Sequence, residues 1–504
     1  MGGIANWISR RAERTPESIA LIDSETGEKT GYRRMAHNVA CRAGALRARG
    51  VRRGDRVAFV SCNSVALMET MFAVAYLGAV FVPVNYRLSA EEVAYILDDA
   101  RPTVVGHDAD YADLTAAALR NATSTISSVV DLDQLGTESA PVPEESVSAS
   151  DVAMIMYTSG TTGHPKGAML THGNFAANAL NLLTTGSGMT ANDVTVVAAP
   201  MFHIGALGLY GMPILYVGGT SIIQKTFVPH RLLEIISEYR VTVQFLVPAM
   251  WDAASRVPDF DSFDLSSLRA LLCGGAPCPL PVIDFFQAKG FTFLEGFGMT
   301  ELSPTCSVLA PEFVRSHAGS VGRPAMHVDV RIVDEQDRDV ATGTVGELVI
   351  RGDNVFKGYW GLPDATAAAM RGGWFHSGDL AHQDAEGFIT LVDRKKDMVV
   401  TGGENVYPIE VEQVLHRHPD VVDVAVIGVP DQTWGEAVTA IVVRRAGAGA
   451  TAADLIAFCR AHIAAFKSPK HVEFLDALPR NATGKLLKRE LRIQFAGSAS
   501  AVSR

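Results

Sequence analysis

The sequence predicts an α/β protein with an α+β C-terminal part. A large N-terminal domain of mixed βαβ sheets with a β subdomain precedes a small α+β domain. Three patterns carry that prediction. Strand-like and helix-like segments alternate between Arg53 and Leu294, short strands follow at regular spacing from Val328, and helix and strand mix again beyond a charged run at Asp393–Asp397. A chain of 504 residues is also too long for one simple core, at about 100–200 residues per domain. It is long enough to bury about three-quarters of its unfolded surface without disulfide or metal staples.

Each element follows from its local pattern. Arg53–Val60 (RGDRVAFV) reads as a strand, Ala66–Leu77 as a helix and Ala79–Val84 (AVFVPV) as a short buried strand. Ala90–Leu97 has helical period, and Thr103–Val105 and Val152–Met156 return to strand. Strands that alternate with helices imply parallel pairing, because a parallel return needs a crossover. The alternation recurs at Val241–Val247, Leu268–Leu272 and Phe291–Leu294. VDVRIVD, VGELVIRG and GFITLVDR, from Val328 onward, read as an antiparallel β subdomain. The last part holds a helix near Pro408–His416, strands at Val421–Val429 and Ala437–Arg444, and a helix at Ala452–Ala465. The five consecutive charges of Asp393–Asp397 (DRKKD) place that run at a surface turn and mark the domain boundary.

Composition excludes several functions. With 44 basic against 55 acidic residues and a net charge of -11, binding nucleic acid through a general positive field is disfavoured. A local basic pocket for an anionic small molecule remains compatible with that balance. Six cysteines without a C-x-x-C pair suggest neither a zinc ribbon nor a redox motif, and read as reduced, buried thiols of a cytoplasmic protein. The N-terminal stretch MGGIANWISRRAERTPES lacks the apolar run of a signal peptide. Val194–Gln224 carries no Asp, Glu, Lys or Arg, but Pro200, Pro213, His203 and five glycines fit buried strand–turn–helix pieces. No transmembrane segment is expected. The absence of a G-x-S-x-G elbow argues against a serine hydrolase.

The strongest local signal is Tyr157-Thr158-Ser159-Gly160-Thr161-Thr162-Gly163-His164-Pro165-Lys166-Gly167, directly after a strand. Glycines let backbone N–H groups converge on phosphate oxygens, hydroxyls donate further bonds, and the lysine adds a point charge. The spacing G-x-x-G-x-x-K-G is not that of a Walker A loop. On physics alone the segment reads as a nucleotide-phosphate loop or as an exposed surface loop. GFGMTE at Gly296–Glu301 starts like a dinucleotide fingerprint but has Glu301 where the third glycine belongs. A hydroxyl followed by a carboxylate suits a phosphate and a magnesium ion, or a capped helix start. Asp379 after Gly378 caps a turn or accepts from a sugar diol. Lys485, in a Gly-containing loop near the C-terminus, reads as a solvated side chain or as a cation for developing phosphate charge.

Taken in order, YTSGTTGHPKG, GFGMTE, WFHSGD (Trp374–Asp379), DRKKD, GGENVYP (Gly402–Pro408) and PRNATGK (Pro479–Lys485) resemble the signatures of the adenylate-forming superfamily. The resemblance covers essentially the whole chain and is nearest the fatty-acid and aryl-acid CoA ligases. It implies an ATP-dependent acid–CoA ligase: acid and ATP give acyl-AMP and pyrophosphate, then the CoA thiol gives acyl-CoA and AMP. Lys485, Thr300 and Glu301 are the implied catalytic residues, with Glu301 also the magnesium ligand. Nucleotide contacts are implied at Thr158, Ser159, Gly160, Thr161, Thr162, Gly163 and Lys166. Others fall at Gly274, Gly275, Ala276 and Pro277, at Gly296, Phe297, Gly298 and Met299, and at Asp379 and Arg394 on the ribose. The acid pocket falls on Phe202, His203, Val247, Pro248 and Cys306, with Phe297 nearby.

Gly402, Gly403 and Glu404 fall beside the CoA tunnel. The implied domains are 1–393 for adenylation and 397–504 as a mobile lid that carries Lys485, joined by a hinge at 394–396 with Lys396 as pivot. His203 stands where amino-acid-activating relatives place an Asp for the substrate ammonium. An unpaired buried ammonium is costly, so a fatty, aryl or alicyclic acid fits better than an α-amino acid. ATP, Mg2+ and coenzyme A are the implied cofactor and substrates. Alternatives are an enzyme that loads a carrier protein, a luciferase-type oxygenase and a noncatalytic nucleotide-binding relative. A homodimer is left open.

Overall fold

The computed structural model describes residues 2–136, 139–158, 164–276, 278–402, 404–431, 433–480 and 486–495. These pack as two compact units. One comprises Met1–Pro277, Phe286–Asp329 and Ile350–Phe375, the other Cys278–Phe285, Val330–Val349 and His376–Arg504.

The first unit is built on three sheets. The largest has seven strands, in the order Gly358–Tyr359, Lys166–Thr171, Val152–Thr158, Val80–Val84, Arg56–Val60, Val104–His107, Ser128–Asp131. Its centre is parallel, and Val152–Thr158 folds back on Lys166–Thr171 as an antiparallel hairpin. The predicted strand at Arg53 starts only at Arg56, because Gly54 turns the chain at φ +82. The crossover helix Val65–Tyr76 begins where Ser64 accepts from Leu67 N–H at 3.0 Å. It is apolar nearly all round because it is buried nearly all round. Its one buried acid, Glu69, pairs with Arg42 at 3.1 Å. The next helix, Ala90–Ala100, opens on a capping box between Ser89 and Glu92.

A second sheet holds Val243–Leu246, Ala270–Cys273 and Phe293–Gly298 in parallel, then Thr305–Val308 and Arg323–Pro324 in antiparallel. The charge-free stretch becomes the strand Val194–Val197, a π-helical turn Ala206–Gly211, the helix Met212–Val217 and the strand Thr220–Ile223. Among the described residues, no helix is long and apolar enough to cross a membrane.

The second unit bears out the β subdomain and the α+β end. Strands Val328–Val333, Gly346–Gly352, Phe375–Gln383 and Ile389–Arg394 lie in that order in one sheet. The long hairpin Val421–Asp431 with Gly435–Arg444 centres the other. Both faces of that hairpin are covered. Val424, Val426, Val438 and Val442 meet the helices Pro408–Leu415 and Ala452–His462, while Ala425, Ile427 and Ile441 meet Leu491 and Phe495 of Lys488–Phe495.

One expectation needs correction. DRKKD is not wholly a surface turn: Asp393 and Arg394 end the strand Ile389–Arg394, paired with Leu380 and Asp379, and only residues 395–397 turn. The ladder extends one charged pair further than the charge run suggested. The longest stretch of the second unit starts upstream of the run, at His376.

Candidate active site

The first unit gathers its glycine motifs at one edge of the second sheet. The register aligns Leu246 with Cys273 and Cys273 with Glu295. The C-terminal ends of these neighbouring parallel strands therefore present Val247–Pro248, Gly274–Ala276 and Gly296–Met299 side by side. That is the edge at which open parallel sheets bind ligands. Two close approaches require glycine there. A Cβ on Gly298 would lie 2.2 Å from the Pro304 carbonyl oxygen. Gly275 has φ +88, and its neighbour Gly274 sits where a Cβ would meet the Gly296 carbonyl oxygen at 3.1 Å.

The phosphate-loop hairpin stands in the seven-stranded sheet. Thr158 pairs with Lys166 at the mouth of the loop, with the Thr158 hydroxyl 3.4 Å from the Lys166 carbonyl. The Lys166 ammonium lies 5.2 Å from the centroid of the Tyr359 ring. The Tyr359 hydroxyl donates to Glu301 Oε1 at 2.9 Å. Residues 356–360 stitch these pieces together by backbone: Phe356 N–H to the Glu301 carbonyl at 2.8 Å, and Trp360 N–H to the Gly167 carbonyl at 2.7 Å. Thr300–Leu302 is a single 3-10 turn with Glu301 buried and no side-chain cap, so the helix-capping alternative for Thr300 and Glu301 does not hold.

The residues expected around the acid differ among themselves. Phe202 is buried against Tyr86, with ring centroids 5.1 Å apart, within a core cluster of the seven-stranded sheet. Its other neighbour is the His203 ring at 4.4 Å. His203 is half-buried, its enclosed Nε2 has no hydrogen-bond partner among the described residues, and burial with Arg87 nearby pulls its pKa down to about 3. The imidazole is thus neutral. Val247 caps the helix Pro248–Ser255 and is half-buried, whereas Pro248 and Cys306 are buried. Gly275 faces Val247, which links the acid-pocket candidates to the glycine edge.

In the second unit, Asp379 and Arg394 face each other in adjacent strands. Arg394 Nε donates to Asp379 Oδ1 at 2.8 Å, and Asp379 N–H donates to the Ser377 hydroxyl at 3.1 Å. The neighbouring Lys395 pairs with Glu347 at 3.3 Å, and Lys396 is exposed in the turn. Gly402 turns at φ +60, and its N–H donates to the Trp434 carbonyl at 2.8 Å. The Trp434 indole is 44% exposed, and the Lys470 ammonium lies 4.9 Å from its ring. Glu404 is exposed at the start of the short strand Glu404–Val406. Ser159–Gly163, Pro277, Gly403 and Lys485 lie outside the described residues.

Sequence reasoning missed Tyr359, Trp434 and Lys470. An aromatic in a two-residue strand carries no periodic signal, and Tyr359 meets Glu301 only through tertiary pairing. A hard divalent cation takes one or two carboxylates and fills its remaining positions with phosphate and water. Glu301, fixed by Tyr359 and adjacent to the Thr300 hydroxyl, fits that role for an ion that arrives with a nucleotide. Among the described residues, no group of three or more metal-ligating side chains competes with it.

Comparison with known proteins gives the family. Residues 8–360 match the AMP-binding enzyme family, and residues 410–485 match the AMP-binding enzyme C-terminal domain. A feruloyl-CoA synthase from Amycolatopsis sp. is 44% identical over 493 residues, covering 98% of this chain and 99% of its own length. The ATP-bound structure of MatB from Rhodopseudomonas palustris is similar with a TM-score of 0.90 at 33% identity, covering 99% of this chain and 100% of that one. The o-succinylbenzoate coenzyme A synthetase (MenE) from Bacillus subtilis, in complex with ATP and a magnesium ion, is similar with a TM-score of 0.88 at 32% identity. The match covers 96% of this chain and 99% of that one.

Proposed function

This chain belongs to the AMP-binding enzyme family and is an ATP-dependent acid–CoA ligase, and we propose that its acid is an aryl-substituted hydrophobic carboxylic acid of the hydroxycinnamate kind. In the first half-reaction a carboxylate oxygen attacks the α-phosphorus of ATP. The bond to pyrophosphate breaks and acyl-AMP forms. In the second, the CoA sulfur attacks the acyl carbonyl and AMP departs.

We assign the residues as follows. Gly274–Ala276 and Gly296–Met299 let the adenine lie against backbone, and Lys166 with the hydroxyls of its loop receives the phosphates. Asp379 accepts from the ribose diol, held in place by Arg394. Thr300 contacts the α-phosphate, and Glu301 would hold the magnesium ion. That ion supplies charge neutralisation on the phosphates. Lys485 stabilises the charge that develops as pyrophosphate leaves. Lys396 is the pivot by which residues 397–504 exchange Lys485 for the Gly402–Glu404 segment between half-reactions. All six cysteines are buried thiols outside any disulfide, which fits the reducing cytoplasm.

His203 carries the substrate reading. A neutral imidazole tilted against the Phe202 ring offers neither a counter-charge for an ammonium nor a cation for a second carboxylate. It does offer an aromatic face to a flat apolar acid. The feruloyl-CoA synthase relative supports the same class. Exposed Trp434 with Lys470 beside the Gly402 turn suits the adenine and phosphates of CoA, which favours CoA over a carrier protein.

The test is pyrophosphate release with MgATP across hydroxycinnamic, benzoic, fatty and α-amino acids, each with and without CoA. Turnover with a hydroxycinnamic acid only when CoA is present, with thioester accumulating, is the expected result. A preference for fatty acids would overturn the aryl assignment. A single burst that CoA does not relieve would move the acceptor to a carrier protein.

A further inference from the structure

Lys166 stands in the seven-stranded sheet and Glu301 in the 3-10 turn that follows the strand Phe293–Gly298, far apart in sequence, yet one side chain touches both. Tyr359 lies in the two-residue strand Gly358–Tyr359, which pairs antiparallel with Met169 and Ala168 at the edge of the seven-stranded sheet. Its hydroxyl donates to Glu301 Oε1 at 2.9 Å, and its ring lies 5.2 Å from the Lys166 ammonium. The backbone around it is fixed on both sides. Lys357 N–H donates to the Met169 carbonyl at 2.9 Å, Phe356 N–H to the Glu301 carbonyl at 2.8 Å, and Trp360 N–H to the Gly167 carbonyl at 2.7 Å. Tyr359 N–H donates to the Thr366 hydroxyl at 2.9 Å, and the Phe356 ring packs on Tyr359 at 4.8 Å.

We propose that Tyr359 is a positioning residue that sets the carboxylate of Glu301 and the ammonium of Lys166 at a fixed separation, so that both meet the phosphates of one MgATP. The proposal rests on the reading of Glu301 as the magnesium ligand and Lys166 as a phosphate contact. A phenol donor to one oxygen of a carboxylate turns its other oxygen in a defined direction. A ring face beneath an ammonium restrains a long, otherwise mobile side chain. Partners that orient a metal ligand in this way matter to metal affinity, and their loss costs about 10–100-fold.

The two contacts separate by substitution. Tyr359→Phe keeps the ring under Lys166 and removes the donor to Glu301. Tyr359→Leu removes both. The measurement is nucleotide affinity of the full-length protein, titrated with ATP in EDTA and with MgATP, in the absence of acid and CoA. For Tyr359→Phe the expected result is an unchanged affinity for metal-free ATP with the gain from magnesium reduced about 10-fold. For Tyr359→Leu, metal-free ATP should weaken as well. Thermal melting of each variant reports whether the fold is intact.

An intact Tyr359→Phe protein with the wild-type gain from magnesium would overturn the proposal. So would an equal loss for ATP with and without magnesium, since that is what a merely structural tyrosine predicts. Because no acid is needed, a wrong assignment of the acid or of the thiol acceptor leaves this readout untouched. Should wild-type affinity itself gain nothing from magnesium, the metal role of Glu301 fails first and takes the proposal with it.

Discussion

Arg394 Nε donates to Asp379 Oδ1 at 2.8 Å, between residues that stand directly opposite in two antiparallel strands. The geometry follows from register. The hairpin of Phe375–Gln383 and Ile389–Arg394 places a carboxylate and a guanidinium in one cross-strand pair, and Asp379 is buried. The guanidinium holds one carboxylate oxygen. It orients the acid before a sugar arrives, which lowers the ordering cost of binding.

Asp379→Asn should therefore weaken ATP far more than it weakens the acid. Charge-assisted hydrogen bonds contribute about 1.5–3 kcal/mol each, so the ATP dissociation constant should rise about 10-fold or more. The KM for the acid should change by less than about 2-fold. Equilibrium titration with ATP and steady-state kinetics in the acid separate the two. An unchanged ATP affinity would refute the ribose role.

Glu295 gives a pH signature. It lies in the strand Phe293–Gly298, next to the glycine edge. Burial raises its pKa to about 7, with the Gly319 N–H opposing that rise only in part. The folded protein holds this proton to a higher pH than the unfolded chain does. Stability from this residue is full below the ordinary glutamate value of 4.5, falls as pH rises towards about 7, and is level beyond. Glu295→Gln should remove that loss. The variant should be more stable than wild type by about 2–3 kcal/mol at pH 8 and nearly equal to it at pH 4. Chemical denaturation at both pH values checks this, and an equal difference at both would sink it.

Legibility divides by range. The alternation from Arg56 to Val105 and the hairpin of the last unit are written in local periodicity, so the sheets can be anticipated strand by strand. Motif residues such as Asp379 and Glu301 stand out for the same local reason. Tyr359 does not. Its strand has two residues, too few for any period, and its partner Glu301 is 58 residues away. The pairing exists only once Gly358–Tyr359 has joined the sheet edge. The charged run misled for a related reason, since charge reports exposure and not the ladder that carried Asp393 and Arg394 into a strand.

Trp434 should matter to CoA alone. Its indole is 44% exposed above the Gly402 turn, with the Lys470 ammonium 4.9 Å from the ring. A flat base stacked on an indole is worth about 1–3 kcal/mol. Trp434→Ala should raise the KM for CoA about 5-fold or more. It should leave single-turnover pyrophosphate release without CoA within about 2-fold of wild type. Loss of both in parallel would mean that the indole serves the fold and not the thiol substrate.

Substitution of Lys485, on the role proposed for it, should separate the half-reactions most sharply. As the acid oxygen bonds to the α-phosphorus, negative charge accumulates on the non-bridging oxygens and on the departing pyrophosphate, and a cation aimed there acts on the transition state more than on bound ATP. Removing one such group costs about 3–4 kcal/mol, or a few hundred-fold in rate. Thiol attack on acyl-AMP develops charge on the carbonyl and releases AMP, with no pyrophosphate to stabilise. Lys485→Ala should then lose pyrophosphate release a few hundred-fold while converting supplied acyl-AMP and CoA to thioester at nearly the wild-type rate. Rapid-quench assays of each half-reaction, run on the same preparation, read both numbers. If the second step falls as far as the first, one arrangement of the C-terminal residues serves both steps, and Lys396 has no exchange to pivot.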